Sequence, residues 1–184
     1  MARLDRLARE DLDDAGCESF DRIVGLRGGA GGLYSLLLHS PGLAELMAAT
    51  EAYVRFESRL ALTLREMVIL ATAREVGSQY EFQAHARLAR QAGVRDDTIR
   101  SLALGEDPAG LSDEEMAALL YARELLQKGS ISDPTFKAAL QHFEPRGVVE
   151  LSVIIGHYKM IALFLASLDV ELAPGAVPEL PLAR

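Results

Sequence analysis

From Met67 to Ala73 the chain runs Met-Val-Ile-Leu-Ala-Thr-Ala without a charge. Seven residues make about two helical turns, so this segment presents no face to water and is expected to be the central buried helix. Apolar positions elsewhere also recur at helical spacing. Leu12, Ala15, Phe20, Ile23 and Val24 predict a helix over 10–26, ended by Gly28-Gly29-Ala30-Gly31-Gly32. Leu33 to His39 reads as a short helix or turn. Ser40-Pro41 reads as a cap followed by proline at the first helical position, opening a helix that reaches Phe56. Thr63 is expected to open the central helix and Ser78 the next, which Gly93 closes as a left-handed cap. Residues 95–104 form a shorter helix, and Ser112-Asp113-Glu114-Glu115 is a capping box ahead of a helix to about Lys128. Ser132-Asp133-Pro134 opens another, to about Phe143. Residues 145–168 make the longest and most apolar helix of all. No stretch alternates apolar and polar residues between turns as a strand does. The pattern therefore predicts an all-α, single-domain helical bundle over residues 1–184, with 1–10 a loose arm and 174–184 irregular.

Composition narrows this picture. With 184 residues and 49% hydrophobic content, one domain with an ample core is expected. Aromatics are only 6% and Trp is absent, so the core is aliphatic. A net charge of -8 and a pI near 5.0 argue against nucleic acid and anionic membrane as partners, since both require a basic field. The apolar run 148–168 is interrupted by Glu150, His157 and Lys159. A central charge costs a spanning helix roughly 2.5–3.5 kcal/mol, so the run reads as a buried helix. Cys17 is the single cysteine, which rules out an internal disulfide, a CxxC couple and a Cys-rich metal site. The charged N-terminal stretch has no signal-peptide core, and a cytoplasmic location is expected. The glycine run 28–32 matches no phosphate-binding loop and reads as a flexible connection.

The candidate chemistry lies around the central helix. Glu66 follows Thr63 by three residues and Glu81 follows Ser78 by three, so a capping box accounts for either carboxylate. Glu66 also lies one turn from Ile69, Leu70 and Ala73. A carboxylate kept from water holds its proton more readily, which suits proton transfer. His85 has no capping explanation. It lies on or beside the apolar stripe of its helix and four residues after Glu81, on the same face. Imidazole near carboxylates in a partly dry site is how a general acid/base is tuned. Glu81 and His85 also have a metal-ligand spacing, but the pattern is not HExxH and no third ligand is placed, so no metal is expected. Tyr80 and Ser78 are candidates to contact a substrate. His157 shares a stripe with Ile161 and Phe164 and is placed against the same cavity.

The stretch LTLREMVILATAREVGSQYEFQAHARLARQAGV, with DDTIRSLALG after it, resembles the core of the carboxymuconolactone decarboxylase / alkylhydroperoxidase D-like superfamily over residues 60–105. ISDPTFKAALQHF and ELSVIIGHYKMIALFLASLDVEL resemble its longer single-domain members. The peroxidase branch has Glu, eleven residues, Cys-x-x-Cys, three residues, His. The same frame here is Glu66, eleven residues, Ser78-Gln79-Tyr80-Glu81, three residues, His85. Both cysteines are replaced and Cys17 lies outside the frame, so peroxide chemistry by thiolate and resolving thiol is argued against. The decarboxylase branch also lacks CxxC and keeps Glu four residues before His. The resemblance implies a cofactor-free lyase or related proton-transfer enzyme on a small polar organic substrate, with His85, Glu66 and Glu81 catalytic and Tyr80, Ser78 and His157 lining the pocket. No cation for an anionic lactone is assigned among Arg55, Arg74, Arg87 and Arg90. The alternatives are a non-catalytic oligomeric scaffold or small-molecule-binding protein, and third a residual peroxidase-type activity. The resemblance and the apolar last helix together imply a homo-oligomer: a dimer, trimer or hexamer.

Overall fold

The computed structural model describes residues 2–173 and 175–181, which form eight α-helices and no strand. The chain is all-α, as the periodicity predicts. It divides into two compact units, 1–58 and 59–184.

The first unit holds α1 (Asp14–Arg27), the single-turn α2 (Tyr34–Leu37) and α3 (Pro41–Phe56), with α1 packed along α3. Ile23, Tyr34, Leu36, Leu38, Ala44 and Ala48 form its interior. Buried Glu51 accepts hydrogen bonds from Arg27 Nε at 3.1 Å, Arg27 Nη2 at 3.0 Å and the Tyr34 hydroxyl at 2.9 Å. Arg27 also stacks on the Tyr34 ring, 3.9 Å from its centroid. The arm before α1 is not loose. Leu7 N–H donates to Ser35 O at 2.8 Å, Arg6 Nη1 donates to Gly32 O at 2.6 Å, and Arg9–Asp11 makes a 3-10 turn. The glycine run therefore has a partner, the arm, that its composition does not announce.

The second unit is built on α4 (Leu62–Glu75), against which α5 (Gln79–Ala92), α6 (Asp96–Leu104), α7 (Asp113–Lys128) and α8 (Asp133–Ser167) all pack. Every residue of α4 from Leu64 to Ala73 is buried, so the uncharged run is the central helix. Its start differs from expectation. Ala61, not Thr63, is the cap, and no side chain caps the helix. Thr63 sits inside the first turn, so Glu66 cannot close a capping box with it. Ser78 caps α5, and Gly93 ends it at φ 97°. Ser112 and Glu115 form the complete capping box of α7.

α8 is two helical segments, 133–143 and 145–167, because Glu144 adopts φ 54°, ψ 173° immediately before Pro145. Proline disfavours a helical residue before it, and this is the boundary the pattern predicts. The second segment is fixed by buried Glu150, which accepts from Arg59 N–H at 2.8 Å and from Arg146 Nε at 2.7 Å. Tyr121 OH and Ser152 Oγ, 2.8 Å apart, join α7 to α8. Among the described residues α8 alone is long and apolar enough to cross a membrane, but 56% of its most apolar window is buried inside the protein. Beyond α8 the chain is irregular as expected, yet fastened. Leu180 enters the core cluster with Phe82, Ala86 and Ala89, and its backbone exchanges hydrogen bonds with the Gln79 side-chain amide. Arg90 grips the Glu179 carboxylate with two hydrogen bonds. The expected irregularity at Pro174 and at 182–184 falls outside the described residues.

Candidate functional site

The central helix carries Glu66 and the first turns of α5 carry Ser78, Tyr80, Glu81 and His85. The two helices meet closely, and the meeting brings both carboxylates to one imidazole. His85 Nδ1 lies 2.8 Å from Glu66 Oε2. His85 Nε2 lies 3.8 Å from Glu81 Oε2, one turn back on the same helix. The side chains of His85, Glu66 and Glu81 are only 12%, 9% and 5% exposed. Glu66 therefore serves His85 rather than a helix terminus.

Glu81 keeps half of its capping role. Its backbone N–H donates to Ser78 Oγ at 3.4 Å. The reciprocal bond is replaced, since Ser78 N–H donates to Ala73 O at 2.8 Å. The Glu81 carboxylate approaches the imidazole instead of the Ser78 N–H. Ser78 itself is engaged as a helix cap, an ordinary role for serine. Tyr80 is half-buried in the first turn of α5.

One residue that the sequence does not single out completes the site. Tyr158 of α8 is buried and meets His85 edge-on, with ring centroids 4.8 Å apart and planes at 83°. His157 is buried too, and stands edge-on to Tyr158 with ring centroids 5.3 Å apart. The apolar stripe of α8 contains Leu151, Ile154, Ile155, Tyr158, Ile161, Ala162 and Leu165, so Tyr158 has a periodicity signal as strong as that of His157.

The two carboxylates address opposite ring nitrogens of His85, and no group of three or more His, Cys, Asp or Glu able to hold a metal ion occurs among the described residues. Of the four arginines considered for an anionic substrate, Arg90 is spent on Asp96 and Glu179, and Arg55 approaches Glu51 and stacks on Phe56. Arg74 lies beside Gly105, and Arg87 is exposed. Arg65, next to Glu66 in α4, is a buried arginine among ten consecutive buried positions, and the uncharged run that begins at Met67 gives no sign of its burial. Cys17 stands in α1, its thiol 3.3 Å from the Arg9 carbonyl oxygen, to which it donates. A separate cleft of about 230 Å³, lined by Thr63, Met67, Val94, Arg95, Thr98 and Glu115 among others, does not include His85.

The carboxymuconolactone decarboxylase family matches residues 41–124. No curated protein sequence matches the chain. An uncharacterised peroxidase-related protein from Ralstonia eutropha JMP134, with an alkylhydroperoxidase AhpD core, superposes with a TM-score of 0.78 at 17% identity, covering 96% of this chain and 97% of its own. A protein of unknown function from Agrobacterium tumefaciens, associated with AhpD antioxidant defence, gives 0.65 at 17% identity over 73% and 93% of the two chains. The debrominase Bmp8 in its apo form gives 0.75 at 14% identity over 92% and 91%. At these identities the likeness concerns the fold. The chain thus carries a match to the carboxymuconolactone decarboxylase family over residues 41–124, from α3 into α7, within a fold of the alkylhydroperoxidase AhpD-core type.

Proposed function

We propose that the protein is a cofactor-free proton-transfer enzyme of the carboxymuconolactone decarboxylase-like lyase type, acting on a small polar organic substrate with His85 as general acid/base. The observation that carries this reading is the buried Glu66–His85 contact at 2.8 Å, with Glu81 waiting 3.8 Å from the other ring nitrogen. Glu66 accepts the Nδ1 hydrogen and so holds the tautomer whose Nε2 carries a lone pair. Nε2 takes a proton from the substrate, and the imidazolium then lies between two carboxylates, which stabilise it. At 3.8 Å Glu81 Oε2 is beyond direct hydrogen-bond reach of Nε2. In a lyase step the carbon–carboxylate bond breaks, its electron pair stays on carbon as an enolate, and Nε2–H supplies the proton to that carbon. Tyr80 and Ser78, at the start of α5, are assigned to the substrate approach, and Tyr158 packs edge-on against the imidazole. The absence of a Cys pair in the Ser78–Glu81 frame supports this reading over peroxide reduction. That a debrominase shares the fold supports reactions on small organic molecules, without naming this one.

The test is solvent-deuterium incorporation and carbon dioxide release over a panel of small lactones, 2-oxo acids and enolisable carbonyls. His85→Ala and Glu66→Gln should each lower turnover by about 10²–10⁴-fold, the usual share of a positioned acid or base. Turnover that survives both changes with the helical signal intact overturns the assignment. Binding without turnover in the unaltered protein would instead support the small-molecule-binding alternative.

A further inference from the structure

We propose that Glu179 and Leu180 in the C-terminal segment are positioning residues for the candidate site: they hold α5 at both ends and so set the contact between His85 and Glu66. The proposal concerns how that contact is made and stands apart from the chemistry assigned to it. The helix that carries His85 is poorly anchored by its own sequence. Of the 14 residues of α5, the buried ones are Glu81, Phe82, Ala86 and Ala89. Phe82 is the one large apolar side chain among them. Alanine contributes little apolar area, and burial of a carboxylate opposes packing unless the group is satisfied. The missing bulk comes from the tail. Leu180, 6% exposed, joins the core cluster in which Phe82, Ala86 and Ala89 lie.

Polar contacts fix the same two residues to opposite ends of the helix. Gln79, the first residue of α5, donates from Nε2 to Leu180 O at 2.7 Å and accepts from Leu180 N–H at 3.3 Å. Arg90, in the last turn, donates from Nη1 and Nη2 to the Glu179 carboxylate at 3.0 Å and 2.8 Å, and from Nε to Asp96 of α6 at 2.7 Å. Gln79 and Arg90 are separated by about three turns and about 16 Å, so they stand on one face of the helix. Two adjacent tail residues therefore clasp both ends of α5 along a single line. Pro178 and Pro181 flank them and restrict the backbone on either side, which lowers the entropy lost when the segment docks.

His85 lies midway between the two grips and about 120° around the helix from them. A clasp along one face resists both sliding and rolling of α5. The two carboxylates beside the imidazole respond unequally to such movement. Glu81 rides on α5 and travels with His85, whereas Glu66 belongs to α4. The Nδ1–Glu66 contact of 2.8 Å is therefore the one that the placement of α5 decides. The 3.8 Å approach of Glu81 is internal to the helix and insensitive to it. A displacement of about 1 Å takes the Glu66 contact out of hydrogen-bond range.

NMR of the full chain, with the histidine ring nitrogens labelled, tests the proposal without a substrate. The chain has 4 histidines, and His85→Ala identifies the His85 signals by their loss. In the unaltered protein the Nδ1 proton of His85 should be visible and exchange slowly with water. Leu180→Ala and Glu179→Ala should each speed that exchange by about tenfold or more, as expected when a local contact opens. Leu180→Met, which conserves volume, and Glu179→Asp, which keeps the charge, should rescue it to within about threefold of the unaltered rate. Ser112→Ala removes the cap of another helix and so lowers stability without touching the clasp; it should leave the exchange unchanged, as should Val177→Ala at an exposed tail position. A fast-exchanging Nδ1 proton in the unaltered chain, an unchanged rate in Leu180→Ala, no rescue by Leu180→Met, or equal acceleration by Ser112→Ala would each overturn the proposal. Because no turnover is measured, these outcomes are independent of whether the lyase reading holds.

Discussion

Replacing Glu66 by Gln is expected to destabilise the protein substantially only while His85 is present. A capping carboxylate would show no such dependence, so a double-mutant cycle of Glu66→Gln and His85→Ala separates the two roles without a substrate. The bond at issue is 2.8 Å long between side chains 9% and 12% exposed, so solvent screens it little. A hydrogen bond involving a charged group is worth roughly 1.5–3 kcal/mol, against about 0.5–1.5 kcal/mol for a neutral one. Gln retains an oxygen able to accept the Nδ1 hydrogen, so the exchange leaves the weaker bond in place. The coupling expected in the cycle is the difference, about 1–1.5 kcal/mol. With a urea slope of about 2–3 kcal/mol/M, that displaces a midpoint by about half a molar. Far-UV circular dichroism at pH 7 reports it, which suits a helical chain without Trp. A coupling below about 0.5 kcal/mol, the ordinary error of additivity, would refute the assignment of Glu66 to His85.

Four further outcomes are expected. Burial alone would raise the Glu51 carboxyl, but the hydrogen bonds and charge of Arg27 outweigh it and hold it below the usual range. Its stabilisation is therefore complete above the unfolded carboxylate value and is lost as pH falls through the lower folded one. Thermal melts across the acid range should show Glu51→Gln less stable near neutrality, with a flatter acid limb. Tyr34 has the opposite sign, since burial and the neighbouring Glu51 push its hydroxyl up. Stability should fall as pH rises past the ordinary tyrosine range of about 10, and Tyr34→Phe should flatten that limb. Ser78→Ala should cost about 1 kcal/mol through loss of the α5 cap, with Ser78→Asp recovering most of it in urea titrations; no loss would show that the cap is idle. Leu180→Ala should cost about 2 kcal/mol, at the low end for a buried leucine, and an unchanged midpoint would show that the tail does not contribute to the core.

Most of the fold can be read from the chain because its signals are local. The uncharged run 67–73 admits one reading, a helix with no wet face, and the Ser112 box and the Glu144-Pro145 break set helix ends through their own backbone chemistry. The candidate site is legible only in part. Thr63 and Glu66 have the spacing of a capping box, and what cancels it is the start of α4 at Leu62, set by the extended Ala61 (φ -55°, ψ 144°). His85 was visible because nothing else explained it. Tyr158 was not, because adjacent residues of α8 point about 100° apart and only the rotation of α8 against α5 decides which of His157 and Tyr158 meets His85. The arm and the tail are held by contacts with residues such as Ser35 and Gln79, distant in sequence, which no periodicity records.

Glu150 takes no part in the proposed chemistry, yet it sets the angular tolerance of the site. Its Oε2 accepts the Arg59 N–H, from the segment that leads into α4, and this ties the roll of the 145–167 segment to the helix that carries Glu66. The break at Glu144 means that no regular helix upstream transmits torque to that segment. A ring about 6 Å from a helix axis sweeps about 1 Å for each 10° of roll, and a 1 Å misplacement can cost about 10²-fold in rate. Tyr158 lies two turns beyond Glu150, edge-on to His85. A carboxylate remote from the imidazole thus acts as a bearing between the segment that carries Tyr158 and the helix that carries Glu66.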